Sequence, residues 1–315
     1  MRFWALAFLY TVGLNVFGQD VTYTKIPGGE EVVLYSDKTW DYRIDFDYTK
    51  VKPHLLNGPS FTGNTVDSGQ NVASVELKQV FTEVSEGYKP DAWLKRNGLD
   101  LNRTIYHVSR MKNYREIPDK VSKFYQKSII TQHFVDSSYH FIAYEGERNS
   151  GRYLVIMNKA MDSVIAALDF YYYQKAPVSR KYGYDGYDFT SQGLAWLKCV
   201  NDTLYFSTHH RTYADSSERK NAYVTCFDLK SKEVIWRSIP LVSNASTFAL
   251  HGDHVFTGYG FTEEDDFIYG LNRFTGKVVL KHPLNKGPSQ VIEKNNQLYV
   301  RTYNRNYIFD IIKED

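Results

Sequence analysis

Tyrosines close together in the middle of the chain carry its most distinctive chemistry. Residues 170–175 read Phe-Tyr-Tyr-Tyr-Gln-Lys, and residues 180–188 mix tyrosine with glycine and aspartate. The candidate partner-binding residues are Tyr171, Tyr172, Tyr173, Tyr182, Tyr184 and Tyr187. A tyrosine offers a flat apolar ring and a polar hydroxyl, which suits contact with proteins or sugars. We expect an exposed binding loop here, and the alternative is a loop that buries its rings against its own sheet.

Two further groups of side chains have the donor atoms of metal sites. Residues 262–266 contain four consecutive carboxylates, which could hold Ca²⁺, but they lack the Asp-x-Asp-x-Asp-Gly pattern. His209 and His210 are neighbours, so on a strand they point to opposite faces. His251 and His254 have no third ligand at a recognisable spacing. The sequence therefore predicts a solvated acidic loop and no metal site.

Local patterns of nucleophilic or metallopeptidase catalysis are missing from the sequence. It contains no Gly-x-Ser-x-Gly elbow and no His-Glu-x-x-His. No pair stands out among the 36 Asp and Glu residues as the two carboxylates of a glycosidase. We therefore assign no catalytic residue. The leading hypothesis is a non-enzymatic binding or scaffold protein, the alternative is an enzyme acting on a carbohydrate or lactone, and a purely structural domain is a third.

The first eighteen residues have the layout of a secretory signal. Arg2 is followed by an almost unbroken apolar run over residues 3–12, and cleavage is expected between Gly18 and Gln19. This run is too short to span a bilayer, which needs about 20 apolar residues. The alternative is a buried N-terminal element. We expect an exported protein, periplasmic or secreted, without a transmembrane segment.

Composition narrows the class of partner. The formal net charge is +2, and basic and acidic residues are interspersed, so nucleic acid is excluded as an expected partner. The expected partner is an envelope protein or glycan. Hydrophobic residues make up 43% of the chain, with 26 Tyr and 19 Phe, which favours a folded, strand-rich protein.

The chain has two cysteines, Cys199 and Cys226. We place them on two non-adjacent strands of one repeat unit, about 10 Å apart at the usual strand spacing. A disulfide needs Cα atoms within about 7 Å. Although an exported chain could oxidise them, we expect two buried free thiols.

The C-terminal half repeats a strand–turn–strand pattern. Residues 223–236 align with residues 267–280 at an offset of 44, with Asp228 and Asn272 at equivalent turns. Residues 153–165 form an earlier copy, and residues 307–312 form a half copy. A polar turn and a strand precede the copies at residues 136–141, 201–206, 252–257 and 295–300. The step from Asn158 to Asp228 is 70 residues, so the tyrosine-rich connection adds about 26 residues to one unit.

A period in the low forties with three or four short strands per unit is typical of a β-propeller. We predict an all-β fold, a propeller of five to seven blades; the alternative is another all-β repeat or a sandwich, which gives no reason for the 44-residue repeat. The expected domains are a signal at 1–18, a hairpin segment at 19–48 and a propeller at 49–315.

The N-terminal hairpin is expected to pair residues 31–35 with residues 40–44. It would either complete the last blade, which removes a free sheet edge, or form a separate hairpin. Residues 72–84 are predicted to form one or two strands, residues 92–97 a helical turn and residues 104–108 a strand.

Over residues 130–312 the repeat resembles that of quinoprotein-like (pyrroloquinoline-quinone repeat) β-propellers. In that family a strand ends in Asp, a Thr-Gly-Lys turn follows, and the next strand carries a Trp. One copy matches with Asp228 and Trp236, and the other with Asn272, Thr275, Gly276 and Lys277. Because the chain is short and lacks an adjacent Cys pair, the resemblance implies the fold and a non-catalytic envelope scaffold, without a cofactor. Residues 34–40 also resemble a hairpin found early in exported proteins of Bacteroidetes-type bacteria.

Overall fold

The computed structural model describes residues 21–25, 31–35, 48–56, 65–67, 72–85, 90–106, 117–118, 120–145, 151–179 and 190–313. The expected signal at residues 1–18 lies outside these ranges. The chain divides into two compact units, Met1–Asp45 and Phe46–Asp315. It is an all-β protein with several sheets.

The described residues of the first unit form an antiparallel hairpin. Strand β1 (Val21–Lys25) pairs with β2 (Glu31–Tyr35), with Val21 opposite Tyr35. The predicted strand at Glu31–Tyr35 is confirmed, and its described partner precedes it in the chain. The expected partner at residues 40–44 lies outside the described residues.

The second unit begins with short elements and a sheet that has additional strands. These elements are a 3-10 turn at Tyr48–Lys50, then β3 (His54–Leu55), β4 (Val75–Val84), α1 (Asp91–Arg96), β5 (Arg103–Ile105), β6 (Phe124–Tyr125), β7 (Ser128–Val135), β8 (Tyr139–Tyr144), β9 (Tyr153–Asn158) and β10 (Val164–Asp169). The first sheet has the order β3-β10-β9-β8-β7-β5, and β6 also pairs with β7. Its antiparallel centre, β7 to β10, is one repeat unit.

Two regular four-stranded antiparallel sheets follow. The second sheet consists of β11 (Gly193–Val200), β12 (Thr203–His209), β13 (Tyr223–Asp228) and β14 (Glu233–Arg237). The third consists of β15 (Ala249–His251), β16 (His254–Tyr259), β17 (Phe267–Asn272) and β18 (Val278–Pro283). The predicted copies at residues 223–236 and 267–280 are therefore both confirmed as hairpins.

The fourth sheet joins the two ends of the second unit. It consists of β19 (Pro288–Lys294), β20 (Gln297–Thr302), β21 (Arg305–Lys313) and β4, which pairs antiparallel with β21. The place beside β21 that we considered for the N-terminal hairpin is thus taken by Val75–Val84. Removing the free edge of β21 in this way closes the sheet with a strand from early in the unit.

The described residues contain four repeat sheets, fewer than the five to seven units that the repeat period predicts for the whole chain. Dividing the chain length by the repeat period assumes that every part of the chain forms its own sheet. Instead, strands from the early, repeat-poor region extend sheets formed by later residues: β3 pairs with β10, β5 with β7, and β4 with β21. The predicted helical turn and the strand beginning near Thr104 are confirmed as α1 and β5.

Polar residues fix the hairpin turns at one end of the sheets. The two-residue connections Asn201-Asp202 and Asn295-Asn296 have positive φ throughout, as type I′ turns require. Asp228 Oδ1 accepts hydrogen bonds from the backbone N–H groups of Lys230 and Ser231, at 2.7 and 2.8 Å. We call this end, with the short connections at 136–138, 159–163, 201–202, 229–232, 252–253, 273–277 and 295–296, the turn end.

Trp236 joins the second sheet to the third at the turn end. Its indole is 1% exposed and donates a hydrogen bond from Nε1 to the carbonyl oxygen of Arg273 at 3.1 Å. The ring lies against Gly276, whose φ is +72°. Because a Cβ at Gly276 would lie 2.5 Å from the ring, the joint requires a glycine.

The cysteines lie on the predicted strands, but only Cys226 is buried, whereas Cys199 is half-buried. Cys199 is on β11 and Cys226 on β13, with β12 between them, and both are free. Burial raises the pKa of each thiol to about 12, so neither is an activated nucleophile.

Candidate ligand-binding end

The longer connections gather at the opposite end of the sheets, which we call the loop end. Among the described residues it comprises 145, 151–152, 170–179, 190–192, 210–222, 260–266 and 303–304, since alternate connections of an antiparallel meander lie at the same end. Contacts between sheets join several of them. Ser179 N donates to Ser216 O at 2.7 Å, and Ala214 N donates to Glu264 Oε1 at 2.8 Å. The connections therefore form one surface.

Two of the predicted tyrosines form an aromatic and cationic patch at this end. The rings of Tyr171 and Tyr172 meet edge to face at 5.1 Å, and Tyr172 is 51% exposed. Lys175 Nζ lies 3.8 Å from the centre of the Tyr171 ring, and the Arg152 guanidinium carbon lies 4.7 Å from it. We call Arg152, Tyr171, Tyr172 and Lys175 the tyrosine platform.

Tyr173 is a core residue, so the expectation of an exposed ring is wrong there. Its side chain is fully buried, and its ring packs against Phe170 and Phe206. Its hydroxyl hydrogen-bonds with the Thr225 hydroxyl, and Arg237 lies 4.8 Å from its ring centre. This one tyrosine faces inward because its ring fills space between the first and second sheets. Tyr182, Tyr184 and Tyr187 lie outside the described residues.

Hydrogen bonds at the base of the platform fix its backbone. Asp169 Oδ1 accepts from the backbone N–H of Tyr171 at 2.9 Å and forms an ion pair with Arg152. The buried Gln174 donates from Nε2 to the carbonyl oxygen of Gly151 at 2.8 Å. The backbone carbonyl oxygen of Gln174 accepts from the backbone N–H of Gln192. Hydrogen bonds with Asp169, Gly151 and Gln192 therefore fix the backbone of the platform.

A second cationic feature lies where the sheets meet. Arg103 on β5 donates from Nη1 to the carbonyl oxygens of Ala195 and Ser246, at 3.3 and 3.2 Å. Its guanidinium lies 5.1 Å from the ring centre of Trp196. One side chain thus links the first sheet, the second sheet and the segment leading into the third. Burial, with a further contribution from Arg211, lowers the pKa of Arg103 to about 10.

The adjacent histidines have separate environments. His210 forms a 2.6 Å hydrogen bond from Nε2 to Ser217 Oγ, while His209 Nδ1 is buried without a hydrogen-bond partner among the described residues. Burial lowers the pKa of His209 to about 3, aided by Arg211 and then His210, and burial lowers that of His210 to about 4. Within the described ranges, no cluster of three His, Cys, Asp or Glu side chains could hold a metal.

The acidic loop holds neighbouring structure in place. Glu264 accepts from the backbone N–H of Ala214 through Oε1 and from the Tyr259 hydroxyl through Oε2. Burial raises the pKa of Asp266. Glu264 therefore stabilises the loop end through the connection at 210–222.

Sequence reasoning missed Arg103, Arg211 and Trp196. Arg103 lies in the region where the repeat is weak, and its backbone acceptors are 92 and 143 residues away. Trp196 resembles any other strand aromatic. Of these three residues, only Arg211 has a local signal in the sequence, because it directly follows His209 and His210.

No family model matches this chain, and no curated protein matches it. Solved structures with some likeness include the computationally designed Ika8 and Ika4 proteins, each 9% identical, with TM-scores of 0.36 and 0.35. The match covers 60% of this chain and 48% of Ika8, and 62% of this chain and 96% of Ika4. Saccharomyces cerevisiae Sqt1 is 8% identical, with a TM-score of 0.38 over 60% of this chain and 46% of that one. The chain therefore spans about half of Ika8 and Sqt1, and scores this low assign neither a family nor a function.

Over the described ranges, no helix has the length and apolar character needed to cross a membrane.

Proposed function

We propose that this is an exported, non-enzymatic binding or scaffold protein of the bacterial envelope, whose tyrosine platform contacts a protein or a glycan. The observation that carries the proposal is the exposed Tyr172 ring beside Tyr171, with Lys175 and Arg152 around it. Such a surface offers apolar area, hydroxyl groups and positive charge together. The periplasmic or secreted location rests on the predicted signal at residues 1–18.

We further propose that the four repeat sheets are the blades of a small quinoprotein-like β-propeller. Bonds between neighbouring inner strands support a radial arrangement. Gln132 on β7 donates to Leu194 O on β11 at 3.2 Å, and Thr247 Oγ1, beside β15, donates to Val291 O on β19 at 2.9 Å. Lys294, at the end of β19, donates to the carbonyl oxygens of Asn97 and Gly98, which precede β5. The segment from α1 to β5 would thus connect the last blade to the first.

This arrangement separates the platform from the fold. Tyr173 anchors the segment in the core, while Tyr172 extends from it into solvent. Replacing the exposed rings should therefore remove the binding surface and leave the packed sheets intact.

The test is a crosslinking pull-down from native envelope with the mature chain and a Tyr171→Ala/Tyr172→Ala variant. The matched control is Tyr303→Ala, which removes a 55% exposed tyrosine from the 303–304 connection of the loop end, outside the platform. We expect a specific protein or glycan partner that is retained by the control and lost by the double variant. A partner retained by both variants would move the binding site off the platform.

The enzyme hypothesis gives a different result in a second assay. It predicts turnover of a carbohydrate or lactone by the purified protein, unaffected by the platform substitutions. Turnover of either substrate class would overturn the non-enzymatic proposal.

A further inference from the structure

Positive charge collects where the inner strands meet. The residues that carry it are Arg103 on β5 and Arg211, which follows β12. Arg103 donates to the carbonyl oxygen of Ala195 on β11. Two residues earlier on the same strand, Gly193 is paired with His209 of β12. Arg211 lies two residues further along the chain. Neither arginine forms a salt bridge with a carboxylate of the described residues.

The charges are close enough to oppose each other. Burial is the larger cause of the lowered pKa values of Arg103 and His209, and the positive charge of Arg211 is the second cause in both. Like charges brought together beside buried surface destabilise the fold unless an anion compensates them. A cluster that the described carboxylates leave uncompensated therefore favours an external anion.

Buried polar atoms next to the cluster also lack partners. Trp196 is 5% exposed, and its Nε1, which can act only as a donor, makes no hydrogen bond to a described residue. His209 is 8% exposed, and its Nδ1 is likewise unpartnered. Leaving a buried polar group unsatisfied is costly, and a bound anion at this position would satisfy both.

We propose that Arg103, Arg211, His209 and Trp196 form a binding site for a single compact oxyanion, such as a carboxylate, phosphate or sulfate group. Arg103 uses Nη1 to hold two backbone carbonyl oxygens, while its Nε and Nη2 donate to no described residue. A guanidinium presents donors in a planar fork that matches an oxyanion. Arg211, which is exposed, supplies a second charge from the solvent side. This site uses none of the platform residues and does not depend on the proposed function.

Titration with sodium sulfate, sodium phosphate and sodium acetate at constant ionic strength, with sodium chloride as the reference, tests the site. The readout is the indole N–H resonance of Trp196, assigned with Trp196→Phe. We expect that signal to shift and saturate with at least one oxyanion but not with chloride. The tightest of the three identifies the group that the site accepts.

Arg211→Gln is the decisive variant because an exposed side chain can be replaced without disturbing the core. Losing one charge-assisted contact should weaken binding about tenfold or more, whereas Arg211→Lys should retain part of the affinity. Lys232→Gln, which removes an exposed cation from the turn end, should leave the oxyanion affinity unchanged. Shifts no larger than those with chloride, or equal affinity in Arg211→Gln and the wild type, would overturn the proposal.

Discussion

The two ends of the sheets solve the same problem of satisfying polar groups in different ways. At the turn end, Asn272 Oδ1 accepts hydrogen bonds from the backbone N–H groups of Phe274 and Thr275, at 2.8 and 3.1 Å, as Asp228 does in the preceding sheet. At the loop end, the Ala214 N–H donates to Glu264 Oε1 and the Ser179 N–H donates to Ser216 O, so partners come from separate connections. The exposed Lys175 and the half-buried Arg152 lie beside the Tyr171 ring. Side chains within each hairpin thus cap the turn end, whereas hydrogen bonds between separate connections hold the loop end together.

The largest expected effect is acid destabilisation through neutral, buried histidines. Burial, with a smaller contribution from His140, lowers the pKa of His133 to about 4, and His209 and His210 are lowered to about 3 and 4. The unfolded chain binds protons at these positions below a pH of about 6.5, whereas the folded chain does not until lower pH. Their stabilisation is therefore complete above about pH 6.5 and is lost as the pH falls.

Each histidine should lower the free energy of unfolding by roughly 2 kcal/mol between pH 6.5 and 5. Urea titrations at pH 7, 6 and 5 measure this loss. His209→Gln should reduce the pH dependence by about a third, since one of three groups is removed. An unfolding midpoint that does not change with pH over this range would show that these histidines are not held neutral by burial.

At the turn end the largest effect should come from Trp236→Ala. The indole is 1% exposed and donates to Arg273 O across the junction of the second and third sheets. Truncation creates a cavity and leaves that carbonyl oxygen unpaired, so the free energy of unfolding should fall by about 3–5 kcal/mol. Chemical denaturation measures the change, and Trp236→Phe, which retains most of the volume, should recover part of it. A loss below about 1 kcal/mol would mean that the sheets are joined elsewhere.

Gly276→Ala tests the other half of this joint. The new methyl group would meet the Trp236 ring at 2.5 Å, on a backbone with φ of +72°. We expect the free energy of unfolding to fall by about 2–3 kcal/mol because of the combined steric and backbone strain. The same chemical denaturation measures it. Gly252→Ala is the matched control, because its φ is also positive and the nearest atom is 4.0 Å away. It should cost about 1 kcal/mol, and equal losses in the two variants would show that the ring contact contributes nothing.

This joint shows what the repeat could reveal. One copy of the sequence has the Trp and the other has the Thr-Gly turn, and each alone is a partial match. In the structure, Trp236 from one sheet rests on the turn of the next, so the two parts belong to one contact. The strands were predictable because each depends on local alternation and a polar turn. The place of β4 beside β21 was not, since residues more than 200 positions apart determine it.

The loop end was less predictable, for a physical reason. Tyr171, Tyr172 and Tyr173 are the same residue type in consecutive positions, yet only Tyr173 is fully buried. Their directions depend on Asp169, Gln174 and the neighbouring sheet, which no local pattern encodes. The segment was identified from composition alone, while its division into anchor and platform required the fold.

The burial of Tyr173 can be tested with a smaller change. Tyr173→Phe removes only the hydroxyl that hydrogen-bonds to Thr225 inside the core. The loss of that bond should lower the free energy of unfolding by about 1 kcal/mol. Tyr172→Phe should leave stability unchanged within about 0.5 kcal/mol, because an exposed hydroxyl is hydrogen-bonded to water in the folded and the unfolded chain alike. Equal losses in the two variants would contradict the assignment of anchor and platform.

The smallest stability effect should accompany the clearest effect on binding. Tyr172→Ala removes a ring that is 51% exposed, so unfolding should change by less than about 0.5 kcal/mol. Partner capture should nevertheless fall, because truncating an aromatic anchor typically costs an interface about 2 kcal/mol or more. Denaturation and a binding titration of the same preparation separate the two quantities. A variant that loses stability and binding together would place Tyr172 in the core with Tyr173, and the platform would no longer be distinct from the fold that supports it.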